Sequence, residues 1–241
     1  MRGEGLVCGL GEVGAGDRAT VGGKGASLGE LCRVGIPVPA GYVVTVAAFE
    51  RSLRSLDPAG EIRREIEELP ADDTAAIARV SAGARARIAG AELAGDVREE
   101  IAARYRRLGD DAVAADGGSR DSDAECDAGT YGSAEHGAAV AVRSSATGED
   151  GAEASFAGLQ DTYLWVCGEQ ALVDQVRRCW ASLYNAEAVG YRRRMRIGER
   201  GLAMAVVVQR MVEPRCAGVM FTCSPTTGDR SVVSVEACWG L

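Results

Sequence analysis

Lys24 lies in Val21-Gly22-Gly23-Lys24-Gly25 and is the single lysine among 27 basic residues, the rest being arginine. A bias that turns tolerant basic positions into Arg explains the count. A lysine kept among glycines marks a place that suits a compact ammonium on a thin stem rather than a broad planar fork. Glycines let backbone N–H groups approach an anion, and a helix follows, so the stretch has the ingredients of a phosphate cradle. It does not match G-x-x-x-x-G-K-[ST]. Taken alone, G-G-K-G is equally a simple turn.

Two further stretches could join it. In Ala141-Val142-Arg143-Ser144-Ser145-Ala146-Thr147-Gly148-Glu149-Asp150 a strand runs into a hydroxyl-rich loop. Arg143 can present a bidentate fork to phosphate, and Ser144, Ser145 and Thr147 offer hydroxyl donors; the bland alternative is a capped turn. In Ala154-Ser155-Phe156-Ala157-Gly158-Leu159-Gln160-Asp161-Thr162, Gly158 would let backbone come close to a ligand. These stretches are far apart in the chain and form one site only if the fold brings them together.

The elements that must position them can be read from periodicity. Residues 20–34 read as a glycine loop and a short helix with Leu28, Leu31 and Cys32 or Val34 on one face, closed by Gly35. Ile36-Pro37-Val38-Pro39 then forces an extended entry into a strand ending near Thr45. From Val46 to Leu108 apolar residues recur at helical spacing, interrupted at Pro58 and Pro70. Strand-like runs return at 138–142, 162–166, 203–209, 217–222 and 232–237, with one helix from Glu169 to Arg194 between the second and third. The Arg192-Arg193-Arg194 run at its end reads as cations suited to a helix C-terminus. Residues 109–137 are acidic, small and almost free of large apolar groups, and read as a flexible insertion. They hold the only histidine, His136, a bystander by this reading.

Composition limits the function classes. At 46% hydrophobic and 26% charged the 241-residue chain is globular in type. The net charge of −8 argues against a nucleic-acid binder held by phosphate neutralisation. The longest apolar run, Leu202 to Val208, is far below the ~20 residues of a bilayer span, so no membrane partner is expected. Eight cysteines include no C-x-x-C pair, so no zinc site is expected, and the N-terminus lacks the apolar region of a secretory signal. A cytoplasmic protein with reduced cysteines is the resulting expectation.

The three motifs, in this order, resemble the N-terminal ATP-binding domain of phosphoenolpyruvate synthase (pyruvate, water dikinase), a domain shared with pyruvate, phosphate dikinase and rifampicin phosphotransferase. Gly35 to Tyr42, Cys179 to Tyr184, Val207 to Val212, Ala217 to Thr222 and Glu236 to Leu241 extend the resemblance over essentially the whole chain outside 109–137. It implies an α+β, ATP-grasp-like nucleotide-binding domain of two lobes, the second incomplete. Residues 1–108 would form the first part, 109–137 the insertion, and 138–241 the remaining lobe.

It also implies roles. Lys24 and Arg143 would hold the ATP phosphates as catalytic residues. Gly158 and Thr162 would form the loop over the nucleotide, and Gln209 would sit by the adenosine with Met211 beside the ring. The phosphoryl group would pass to a histidine on a separate domain and then to pyruvate or another acceptor, domains absent from this chain. The resemblance adds Mg2+, with its ligands expected beyond residue 241. Because the chain stops at Trp239-Gly240-Leu241 inside a motif the family extends, the alternative is a truncated, non-catalytic nucleotide-binding module or a rifampicin phosphotransferase-like fragment.

Overall fold

The computed structural model describes residues 5–115, 137–147, 150–151, 154–155 and 161–240. Its centre is a five-stranded antiparallel sheet in the order β1 (Val7–Gly9), β2 (Gly41–Val44), β7 (Met204–Arg210), β3 (Val140–Ala146), β6 (Thr162–Val166). Strands from before residue 108 and after residue 138 are therefore neighbours in one sheet, with β7 inserted between β2 and β3. Two residue pairs, β4 (Asp150–Gly151) and β5 (Ala154–Ser155), form a separate short ladder. Strand β1 has no clear signal in the sequence; three residues are too few to show a period.

Because side chains alternate along a strand, the sheet has two faces. Val140, Val142, Val206 and Val208 point to a large core filled by helices α2 (Val46–Leu56), α3 (Glu61–Glu67), α4 (Thr74–Gly90), α5 (Gly95–Ala115), α6 (Glu169–Ser182) and α7 (Ala186–Arg194). Phe49 and Trp180 meet edge to face there, with ring centroids 5.7 Å apart. Val43, Ala205 and Val207 point the other way, to a smaller core with Leu10, Val13, Val21 and Ala26. That second face is covered by helix α1 (Arg18–Arg33).

Helix α1 differs from its expected form. Its buried residues are Val21, Gly22, Gly23, Gly25, Ala26 and Gly29, while Leu31 and Val34 are exposed. Small residues face the protein because the helix lies very close to its neighbours. A Cβ at Gly29 would come within 2.4 Å of the Val13 carbonyl oxygen. The chain is helical from Arg18, with a break at Gly22, rather than a loop followed by a helix.

The expected helix from Glu169 to Arg194 is two, α6 and α7, and the arginine run does not merely face a helix dipole. Arg192 is buried and holds Glu199 with Nε at 2.9 Å and Nη2 at 3.1 Å, while its Nη1 donates to the Leu183 carbonyl at 2.9 Å. Arg193 Nε donates to the Leu69 carbonyl. The acceptors of these bonds all lie outside α7, which is why local reasoning missed them. Helix α5 continues to Ala115, so the first residues of the expected insertion are helical; 116–136, with His136, lie outside the described residues. Cys167 is disulfide-bonded, against the expectation that the cysteines are reduced; sequence spacing does not say which sulfurs meet.

Residues Met211–Leu241 form a second compact unit. It is a hairpin of β8 (Cys216–Phe221) and β9 (Ser234–Trp239), in register from Cys216 opposite Trp239 to Phe221 opposite Ser234. Met220, Val235 and Trp239 are all well exposed, and Arg215 lies 6.0 Å from the Trp239 ring centroid. Among the described residues, no helix is long and apolar enough to cross a membrane.

Candidate functional site

Arg143 sits in the middle of β3, opposite Val207 of β7 on one side and Thr162 of β6 on the other. Directly opposed residues of antiparallel strands share a face. Arg143, Thr162 and Ser145 therefore stand on the α1 side of the sheet, together with Gln209, which faces Ala141 two positions back along β3. The core on the opposite face supplies the rigidity.

Gln209 is almost fully buried and reads its two neighbours with the two ends of its amide. Oε1 accepts from Arg143 Nη1 at 3.4 Å, and Nε2 donates to the Pro39 carbonyl at 3.1 Å. The prolines that forced an extended approach to β2 thus place a carbonyl where Gln209 needs one. Arg143 is left half-buried, opposite Thr162 in the strand register, and Thr162 is exposed.

Lys24 arrives from α1. Gly22 has φ +69° and ψ 179°, a backbone conformation essentially confined to glycine that costs a side-chain-bearing residue about 1–3 kcal/mol. It breaks the helix and starts a second helical piece with Lys24 in its first turn. The break is fixed against the end of β3: Ser145 Oγ donates to the Val21 carbonyl at 2.8 Å and accepts the Gly25 N–H at 3.1 Å. Lys24 is half-buried. Its charge reaches the buried Cys179 thiol, whose Sγ lies 3.9 Å from the Val142 carbonyl oxygen and 3.8 Å from that of Asp161. Burial pushes that thiol far above its ordinary range, and the Asp161 charge adds to this while Lys24 opposes it. Cys179 is a protonated core residue rather than a nucleophile.

The sheet thus brings together Arg143, Thr162 and Gln209 on the face covered by α1, the helix that carries Lys24. Gly158 lies outside the described residues, and Met211 opens the second unit. The hydroxyls of the second motif, offered by the sequence as phosphate donors, are engaged elsewhere. Ser145 is committed to α1. Thr147 donates its hydroxyl, and its N–H, to the Ala203 carbonyl, each at 3.2 Å. Ser144 alternates to the opposite, core face, where it is buried. Among the described side chains of that motif, Arg143 is left to meet an anion.

Sequence reasoning missed Asp161. Its N–H faces the fully buried Ser182 Oγ at 3.4 Å, its carbonyl accepts the Ser144 N–H at 3.3 Å, and its carboxylate accepts the Tyr163 hydroxyl at 2.8 Å. Burial first, and that carboxylate second, hold the Tyr163 phenol protonated well above the ordinary range. Asp161 therefore fixes the start of β6 immediately before Thr162. The partners are on β3 and α6, so no local pattern announces the role.

A guanidinium on a sheet face and a lysine in the first helical turn above that face are groups that suit an anion. A nucleoside polyphosphate has that charge and a base for the Gln209 side of the face. Among the described residues no group of three His, Cys, Asp or Glu side chains is placed to hold a metal ion.

The geometry defines an α+β domain whose antiparallel sheet carries Arg143, Thr162 and Gln209 on one face. The comparison with known families names it: residues 18–241 match the family described as pyruvate phosphate dikinase, AMP/ATP-binding domain, and the chain belongs to that family. A probable phosphoenolpyruvate synthase of Methanothermobacter thermautotrophicus is 40% identical over 234 residues, covering 95% of this chain and 30% of its own length. The phosphoenolpyruvate synthase of Aeropyrum pernix is 39% identical, covering 98% of this chain and 26% of its own length. A rifampicin phosphotransferase of a Streptomyces species is 41% identical, covering 98% and 24% respectively. The chain thus spans less than a third of the length of these curated relatives.

Proposed function

We propose that this chain is the ATP-binding domain of a phosphoenolpyruvate synthase-like phosphotransferase, binding ATP for transfer of a phosphoryl group to a histidine on another domain. The reading is supported by Arg143 standing on the sheet face covered by α1, the helix that carries Lys24, although 118 residues lie between the two in the chain. Their charges offset the negative charge that the phosphates carry as the phosphoryl group leaves, the electrostatic share of such catalysis. Gln209 orients Arg143 and borders the adenosine. Thr162, with Gly158 before it, closes over the nucleotide.

In this reading the domain is ATP-grasp-like, residues 1–108 and 138–241 build it, 109–137 is an insertion, and Met211–Leu241 begins a second lobe. Mg2+ enters with ATP, and the protein works in the cytoplasm. The near-equal identities to synthases and to a rifampicin phosphotransferase support a second acceptor, an antibiotic instead of pyruvate. Both readings share the ATP site.

The test is thermal unfolding of the chain over a range of ATP concentrations with Mg2+, beside Lys24→Ala. A ligand that binds only the folded state stabilises it by about 2.7 kcal/mol at a hundredfold excess over Kd. A concentration-dependent rise in Tm that shrinks in the variant supports the site. A wild-type chain that unfolds cooperatively with no response to ATP refutes it.

A further inference from the structure

Resting on the nucleotide reading above, we propose that Ser145 is a positioning residue that sets the Lys24 ammonium relative to the Arg143 guanidinium. The break at Gly22 leaves the first N–H groups of the following helical piece without partners inside the helix. Such groups are ordinarily satisfied by a side chain at the break itself. Glycine has none. The acceptor comes instead from Ser145, 120 residues further along the chain, at 3.1 Å from the Gly25 nitrogen.

The same hydroxyl spends its one proton on the Val21 carbonyl at 2.8 Å. It therefore grips the chain on both sides of Lys24, at Val21 and at Gly25. Ser145 has no solvent exposure, so water does not compete for either bond. Gly22 is the matching half: a Cβ there would lie 2.0 Å from the Ser145 carbonyl oxygen and 2.4 Å from its Oγ. Glycine is required both by its φ and by the room that Ser145 fills.

The consequence is geometric. Ser145 stands two residues after Arg143 on the same strand face, so the segment carrying Lys24 is tied to the strand carrying Arg143 with one residue between. The spacing of the two cations is then fixed before any ligand arrives, which lowers the ordering cost of binding a polyphosphate. A serine that merely filled the core would matter equally to every ligand of the domain.

The experiment measures affinity for ATP and for adenosine by calorimetry in Ser145→Ala, Ser145→Cys and Ser145→Thr, each alone and combined with Lys24→Ala. Ser145→Ala weakens ATP about five- to tenfold, the size of a lost capping bond, and adenosine less than about twofold. In the Lys24→Ala background its effect on ATP falls below about twofold, because there is no ammonium left to place. Ser145→Thr restores most of the ATP affinity by keeping the hydroxyl. Ser145→Cys, close in volume and a weaker hydrogen-bonding group, gives a graded loss and serves if the alanine variant does not fold. Equal weakening of ATP and adenosine, or an undiminished effect in the Lys24→Ala background, overturns the role. A wild-type chain that binds neither ligand overturns the nucleotide reading itself, and the role with it; one that binds ATP while the Ser145 variants bind it equally well overturns the role alone.

Discussion

Replacing Glu199 by Leu tests how firmly the segment leading into β7 is held. Arg192 and Glu199 are each 1% exposed, and the carboxylate accepts two of the guanidinium's hydrogen bonds. Leucine is close to Glu in volume, so no large cavity opens; what remains is a buried cation held by the Leu183 carbonyl. Breaking a buried pair in this way costs about 3–5 kcal/mol, because the desolvated charge is no longer compensated. For a domain of this size about 1 kcal/mol moves Tm by roughly 2–4 °C, so the expected fall is roughly 6–20 °C. The assay is urea denaturation followed by far-UV circular dichroism, with a thermal scan beside it. The double replacement Arg192→Met with Glu199→Leu should cost much less than the single one, since both charges go together and only the Leu183 carbonyl loses its donor, about 1–3 kcal/mol. A single variant within about 1 kcal/mol of wild type would refute the reasoning, since it would mean that the guanidinium finds water or another partner without cost.

Lys24→Ala should weaken ATP by about 1.5–3 kcal/mol, the range for charge-assisted hydrogen bonds, and Lys24→Arg should also weaken it because the planar fork fits poorly between glycines; calorimetry decides, and an unchanged Kd for the alanine variant removes Lys24 from the site. Gly22→Ala should lose ATP binding and stability together, as the added methyl meets the Ser145 carbonyl; a variant with wild-type Tm contradicts the close approach. Burial, with the Glu12 charge next, pushes the Cys8 thiol from 9.0 up to about 11. The unfolded chain then gives up that proton first, so stability present below pH 9 is lost as pH rises toward 11. Cys8→Ala should flatten that part of the pH profile, and alkylation at pH 8 followed by mass spectrometry should label exposed Cys216 well before Cys8.

Much of the fold was legible because it depends on local patterns. The runs of β formers at 162–166 and 203–209 fall on β6 and β7 almost residue for residue, and the helical spacing from Val46 onward yields α2 to α5 with breaks where Pro58 and Pro70 stand. Lys24 and Arg143 stood out by residue type alone, one as the single lysine and the other at the end of an apolar strand. Where the fold departs from its pattern, distant contacts are responsible. Leu31 and Val34 looked like the buried face of α1, yet the glycines face inward because the sheet lies too close for larger side chains. Arg192 looked like a solvated helix end and is buried because Glu199 reaches it after a turn of chain.

The sequence by itself determined most of the longer elements, the acidic net charge, the absence of a long apolar span and, through ordered motifs, the family. It could not determine which side chains of those motifs meet a ligand. Three hydroxyls in Arg143 to Thr147 were equivalent as donors on paper. The antiparallel register sends Ser144 to the core, Ser145 to the break in α1 and Thr147 to Ala203, and leaves Arg143 beside Thr162 and Gln209. The reason is that a strand's period of two assigns faces, while only the pairing of strands far apart in the chain decides what each face meets.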